Sequence, residues 1–346
     1  MRLLVVCVCV LILAGCRPEQ AATAVRVTIP PTIQGVVLAT PIPTTSVPPT
    51  PTYTPTATPT ATHTPTATTT PSRTPVPTDT LTPSLTPTLA PVDMFAFQRP
   101  FTRDQVDYID RTYPYGMGEL RGLPIHHGVD IQNPRGTPIL AVADGTVYYA
   151  GEDRTRLFGP IPNYYGNLVI LQHDVLSLDG LPVYTLYGHM QRVDVKTGER
   201  VAAGDKIGVV GGTGVAFGPH LHLEVRVGDP DSFGSSRNPD WWILPYPGYG
   251  MIAGQVRNPD GSIPAELTVT VRRAGLTGGI PRYAYTYSND PLINRDPAWR
   301  EDFTLGDLEA DDYDVIVSEA NGRIRFRKTV VVEAGHTTWI DITLRP

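Results

Sequence analysis

The sequence predicts an all-β protein. An antiparallel β-sheet domain is followed by a small C-terminal β-sandwich, and both stand behind a disordered threonine- and proline-rich linker. Three observations predict this. From about Phe95 onward, short runs of β-branched and aromatic residues alternate with Gly, Pro and Asp turns. No long segment carries helical periodicity. From about residue 30 to residue 91 the chain is threonine and proline with little else, a composition that cannot bury a core.

Taken in order, residues 1–16 read as a secretory signal: Met1-Arg2, an apolar run from Leu3 to Leu13, then Ala14-Gly15-Cys16. The apolar run is too short to cross a bilayer, which needs about 20 residues. The ending Leu13-Ala14-Gly15-Cys16 resembles a bacterial lipobox. That resemblance implies a lipidated Cys16 as first mature residue, and an extracytoplasmic protein anchored by lipid to the cell membrane. Cys7, Cys9 and Cys16 are the only cysteines. The folded part therefore has no disulfide framework, no thiol nucleophile and no thiolate ligand. Residues 17–92 form the linker. Between Pro41 and Pro91 only Arg73 and Asp79 carry formal charge. At roughly 3.1 Å per residue this stretch reaches on the order of 150 Å, either as a stalk carrying the folded part outward or as filler.

Residues 93–249 hold the first folded domain. Its strand candidates are Pro138–Val142, Gly145–Tyr149, Asn167–Gln172, Val183–Tyr187, Lys206–Val210 and Leu221–Val227. The domain closes after Asn238-Pro-Asp-Trp-Trp242, in the Pro/Gly-rich run 245–250. Residues 250–346 form the second. The turn Asn258-Pro-Asp-Gly261 follows a first strand near Gly254, and Leu267–Arg272 alternates cleanly. Further candidates are Asp302–Leu305, Tyr313–Val317, Lys328–Val332 and Thr338–Leu344. About seven short strands suggest a sandwich. The runs "GQVRNPDGS" at 254–262 and "FTLGDLEADDYDVIV" at 303–317 resemble carboxypeptidase-regulatory-like repeats, a likeness that speaks to fold and not to chemistry. His336, beside Gly335, reads as a surface residue.

Charge narrows the function classes. The net charge is −6, from 28 basic and 34 acidic residues, and no basic block occurs. Nucleic-acid binding is excluded on that ground.

The chemistry gathers in three short patterns: His126-His-Gly-Val-Asp130, Tyr187-Gly-His189-Met and Gly218-Pro-His220-Leu-His222-Leu-Glu. In an extended strand alternate side chains share a face, so His220, His222 and Glu224 point one way. Leu221, Leu223 and Val225 then take the opposite, core side. His126 and Asp130 add an imidazole and a carboxylate close in sequence, with Gly128 permitting a tight path between them. Two imidazoles and a carboxylate make an open three-ligand set. Non-haem iron oxygenases use the same ligand types, so ligands alone do not choose the metal. The additional histidines favour zinc and hydrolysis, which needs acid/base groups beside the ion.

Four longer runs resemble the lysostaphin-like (LytM-type) zinc metallopeptidase family: "HHGVDIQNPRGTPILAVADGTV" at 126–147, "LVILQHD" at 168–174, "TLYGHM" at 185–190 and "VKTGERVAAGDKIGVVGGTGVAFGPHLHLEV" at 195–225. The likeness spans about residues 120–245. It implies one zinc ion per peptidase domain, held by His126, Asp130 and His222. It implies His189 and His220 beside the metal as general base and transition-state stabilisers. The implied function is zinc-dependent endopeptidase action on peptidoglycan stem peptides or cross-bridges. Some relatives have lost ligands and activate other wall enzymes, so a non-catalytic wall-binding or amidase-activating lipoprotein is the alternative. His127 reads as accessible and non-ligating, and His173 as structural. Tyr115, in Tyr113-Pro-Tyr115-Gly-Met-Gly, lies where the family has a cleft-side loop, but the stretch departs from the commoner pattern and Tyr115 stays outside the catalytic set. In the insertion Glu152–Tyr165, the aromatics Phe158, Tyr164 and Tyr165 either wall the cleft or pack the loop.

Overall fold

The computed structural model describes residues 92–118, 122–276 and 279–346. The expected signal segment with Cys16, and the linker up to residue 91, lie outside the described residues. Among the described residues there is no α-helix, only two 3-10 turns, Phe233–Ser235 and Pro239–Trp241. Nine strands build the first sheet: β1 (Val129–Gln132), β2 (Pro138–Leu140), β3 (Gly145–Glu152), β4 (Asn167–Leu176), β5 (Pro182–Val193), β6 (Arg200–Val201), β7 (Lys206–Val210), β8 (His220–Val227) and β9 (Ser236–Arg237). Their main order is β1-β8-β5-β4-β3-β6. β7 bridges β2 and β5, and β9 pairs with the end of β8.

β8 is flanked by β1 on one side and β5 on the other. Its alternation does the positioning. Leu221, Leu223 and Val225 enter one core with Val129, Ile131 and Tyr187. Each such burial contributes roughly 1.5–3 kcal/mol, which pins the strand and with it the alternate side chains. On the other face Phe158 and Tyr165 of the loop 152–165 pack with Leu168, Ile170 and Leu186 in a second cluster. The strand candidates read from sequence all fall on observed strands. The short β1, β6 and β9 were not among them, because two to four residues show no readable period.

The C-terminal part holds seven strands: β10 (Tyr249–Arg257), β11 (Thr268–Arg273), β12 (Arg282–Tyr285), β13 (Phe303–Glu309), β14 (Asp311–Ser318), β15 (Ile324–Val332) and β16 (Thr337–Thr343). They form sheets of order β13-β10-β16 and β12-β11-β14-β15, which contribute to one shared core. β12 escaped the sequence reading. The pairing of β10 with β16 is parallel. Those strands lie far apart in the chain, so no hairpin forces opposite directions. The two parts meet over aromatic residues. Trp241 stacks on Trp299 with ring centres 4.8 Å apart, and Met251, Ala253 and Trp299 belong to the first domain's core.

Candidate metal centre

Register brings the candidate ligands together. In the antiparallel pair β1–β8, Asp130 lies directly opposite His222. Directly opposed residues share a face with Cβ atoms about 5 Å apart, so the carboxylate and imidazole meet across the ladder. Asp130 Oδ1 sits 3.0 Å from His222 Nδ1. His126 arrives from the segment before β1. Its backbone exchanges hydrogen bonds with 116–117, Gly116 N donating to His126 O and His126 N to Met117 O. Its ring lies flat against Tyr113 at 4.2 Å. Nε2 of His126 is then 3.2 Å from Asp130 Oδ1 and 3.1 Å from His222 Nδ1. Gly128 makes this crossing possible by close approach rather than by unusual dihedrals. A Cβ there would lie 2.4 Å from the Leu223 carbonyl oxygen and 3.0 Å from His222 Cε1.

The remaining ring nitrogens decide the tautomers. His126 Nδ1 donates to the Tyr113 carbonyl at 2.6 Å, and His222 Nε2 donates to Glu224 at 3.1 Å. His126 Nε2 and His222 Nδ1 therefore turn bare lone pairs toward one another and toward a carboxylate. Such an arrangement repels itself unless a cation or proton lies between. The spacings of 3.0–3.2 Å approach the edge of about 3.3 Å expected for a tetrahedron with bonds of about 2.0 Å. His126, Asp130 and His222 thus fit a zinc ion. Burial opposes ionisation of Asp130, but His126 and His222 outweigh it and hold its pKa well below the usual range. Burial also opposes protonation of His222, yet Asp130 and Glu224 prevail and push its pKa up to about 9. The pocket is built for positive charge.

Two further imidazoles look into the same hollow, a cleft of about 280 Å³ also walled by Tyr113, Tyr164 and Phe217. His220 follows the face of His222, its Nδ1 donating to the Gly218 carbonyl at 3.0 Å. His189 gets there differently. Strict alternation would send it to the core side with Tyr187. Instead the β4–β5 ladder slips one residue between the Val169–Tyr187 and Asn167–Met190 pairs, and His189 takes a left-handed backbone, φ 60°. The bulge turns its ring beside those of His220 and His222, at 4.9 and 5.6 Å. Gly188, opposite His222, keeps the space clear. His189 Nδ1 donates to the Thr213 carbonyl at 2.8 Å. Both His189 and His220 consequently present a bare Nε2. Burial, then repulsion from His222 and His220, lowers His189 to about 3, and burial lowers His220 as well.

Beneath the ligands lies a layer the sequence reading did not assemble. Glu224 and Arg226 are both 0% exposed. Arg226 Nε donates to Glu224 at 2.8 Å, and its other nitrogens donate to the carbonyls of Pro230 and Phe158 and to the Tyr165 hydroxyl. Tyr165 in turn donates its hydroxyl to Glu224. The signal was available, because 226 continues the series 220, 222, 224.

The other candidates fall as follows. His127 is buried, not accessible as expected, bonded to Ser236 Oγ at 3.0 Å and packed on Phe233 at 3.8 Å. Its neighbour faces the metal group, so alternation turns it inward under 233–236. His173 is buried between the Asp144 carbonyl and Thr185 Oγ1. Of Tyr113 and Tyr115, it is Tyr113 that lines the cleft. Tyr115 is buried at the junction with the C-terminal part, bonded to Ser236 and Asn294. Of the insertion's aromatics, Tyr164 walls the cleft while Phe158 and Tyr165 are packed beneath it. His336 is exposed.

Comparison with known proteins adds a family. Residues 124–237 match the family model described as Peptidase family M23. A peptidoglycan DD-endopeptidase of Vibrio cholerae, ShyC, is 34% identical over 154 residues, 43% of this chain and 31% of that protein. A DD-carboxypeptidase/endopeptidase of Neisseria meningitidis serogroup B, Mpg, is 38% identical over 123 residues, 36% of this chain and 24% of that protein. The catalytic domain of the antimicrobial peptidase lysostaphin from Staphylococcus simulans is 32% identical, covering 36% of this chain and 83% of that one, with a TM-score of 0.29. The chain spans less than a third of the length of these curated relatives.

Proposed function

From the premise that this chain carries a Peptidase family M23 domain, we propose that it is a zinc-dependent endopeptidase cutting peptide bonds in peptidoglycan stem peptides or cross-bridges. One observation carries the reading. Three ligand-type atoms converge within 4.8 Å, and two further histidines turn bare Nε2 atoms into the same cleft. Zinc held by His126, Asp130 and His222 would supply Lewis-acid polarisation of the scissile carbonyl and a more acidic attacking water. One of His189 and His220, both neutral near pH 7, takes the water's proton as the new C–O bond forms. The imidazolium produced lies beside the developing oxyanion and returns its proton to the amine nitrogen as the C–N bond breaks. Phe217, 92% exposed at the cleft rim, offers an apolar contact to the substrate chain.

The same reading places the protein outside the cytoplasm, anchored to the cell membrane through lipidated Cys16. The lipobox-like run supports this, and the relatives' wall substrates agree with it. The likeness of the C-terminal part to carboxypeptidase-regulatory-like repeats is supported by its seven strands in two sheets.

The decisive experiment incubates the full chain with purified sacculi and identifies released fragments by mass spectrometry. His222→Ala should lose both zinc and products. His220→Ala should keep zinc while losing roughly a hundredfold or more in rate. Near-normal turnover in His220→Ala removes that residue from the mechanism. Zinc binding without any product from wild type would make the chain a wall-binding or activating protein. Cys16→Ala should move the protein from the membrane fraction to the medium, and unchanged fractionation would end the anchor proposal.

A further inference from the structure

A second hollow, of about 400 Å³, opens beside the catalytic cleft, and Asp110 is a wall residue of both. Its other walls come from three parts of the chain: Tyr108 and Arg111 before β1, Tyr246 and Tyr249 at the domain junction, and Arg282 and Asp307 from β12 and β13. The C-terminal part thus contributes directly to a hollow that shares a wall residue with the catalytic cleft.

The charges in this hollow are unevenly satisfied. Asp307 accepts from Arg99 at 2.5 Å and lies 4.0 Å from Arg111, which itself binds Asp240 at 2.5 Å. Asp110 accepts from the backbone and hydroxyl of Thr112 and from Gln132. Arg282 is half-buried and donates to the Asp307 backbone carbonyl at 3.1 Å, and among the described residues it makes no ion pair with a carboxylate. Burial, and then the neighbouring Arg111, lower its pKa against the smaller opposing pull of the Asp307 and Asp240 carboxylates. A guanidinium of this kind matches a carboxylate with two parallel hydrogen bonds. Tyr108, 59% exposed, offers an aromatic face alongside.

We infer that this hollow is a substrate subsite, in which Arg282 of the C-terminal part binds a carboxylate on the same polymer whose peptide bond lies in the catalytic cleft. The inference rests on the peptidase reading for the identity of that polymer. It gives the C-terminal part a role in choosing substrate: wall peptides with free carboxylates are held, and amidated ones are not.

The test uses the full chain and purified sacculi, untreated or with carboxyls amidated by carbodiimide and ammonia. For wild type, the wall concentration giving half-maximal release should rise on the order of tenfold after amidation, the worth of one partly exposed charged hydrogen-bond pair. Arg282→Gln on untreated wall should behave like wild type on amidated wall, and Arg282→Lys should fall between. Maximal rate, zinc content and melting temperature should stay near wild type. If Arg282→Gln leaves the acid/amide contrast intact, or weakens both walls equally, the inference is overturned. Cosedimentation of EDTA-treated protein with the two walls reads the hollow without hydrolysis. A contrast abolished by Arg282→Gln sustains the subsite even if wild type releases nothing, an outcome that would count against the peptidase reading alone. No contrast there overturns the subsite.

Discussion

Arg226→Met tests the buried layer beneath the metal group most directly. Arg226 and Glu224 are both 0% exposed and joined at 2.8 Å. Burial opposes ionisation of Glu224, but Arg226 and His222 outweigh it and hold the carboxylate far below its usual range. Methionine fills comparable volume but leaves an unpaired buried charge and strips donors from the Pro230 and Phe158 carbonyls. Breaking one side of a buried pair costs roughly 3–5 kcal/mol. For a folded part of this size, each kcal/mol moves the melting temperature by about 2–4 °C, so the expected drop is about 6–20 °C. Zinc affinity should also fall about 10–100-fold, because Glu224 orients the His222 ring through Nε2. Calorimetry and zinc competition with a chromogenic chelator read the two effects. The double variant Glu224→Gln/Arg226→Met removes the orphaned charge while keeping an acceptor for His222, and it should recover much of the loss. A melting temperature within about 2 °C of wild type for Arg226→Met, or a double variant no better than the single, refutes the reasoning.

Gly128→Ala places a Cβ 2.4 Å from the Leu223 carbonyl oxygen and 3.0 Å from His222 Cε1. It should cost about 1–3 kcal/mol and lower zinc content, and full zinc loading at unchanged stability would show that β1 and β8 can part freely. His173 gives a pH signature: burial lowers it to about 4, against about 6.5 when unfolded. Its contribution, about 3 kcal/mol, is complete above pH 6.5 and disappears as pH falls toward 4, since only the unfolded chain takes up the proton in that window. His173→Gln should flatten the rise of melting temperature with pH between 4.5 and 6.5, and an unaltered slope contradicts this. Removing metal with EDTA should lower the melting temperature of wild type by about 8–16 °C if zinc is present at a thousandfold its Kd. His126→Ala should show no such response, and an equal response would place the stabilising ion elsewhere.

Some of this site is legible in the amino-acid order. Strand period two is local, so the shared face of His220, His222 and Glu224 needs nothing beyond β8 itself, and the apolar Leu221, Leu223 and Val225 say which face is inward. The spacing of His126 and Asp130 around a small Gly128 is equally local. The all-β class follows from the same short alternating runs, and the cysteine positions exclude disulfides and thiolate ligands from the folded part.

Other features are decided by residues distant in sequence. Asp130 reaches His222 because the β1–β8 register places them opposite, and a slip of one residue would turn every β1 side chain over. His189 contradicts its own local pattern: alternation assigns it to the core beside Tyr187, and only the bulge against β4 rotates it into the cleft. Tyr113 rather than Tyr115 faces the metal group because His126 docks against it. Arg282 joins the groove only because the C-terminal sheets pack beside the 108–111 segment. Periodicity determines which way a side chain leans from its own strand. Pairing register, bulges and domain packing determine what it meets there, since they balance long-range hydrogen bonds and burial that no short window of sequence contains.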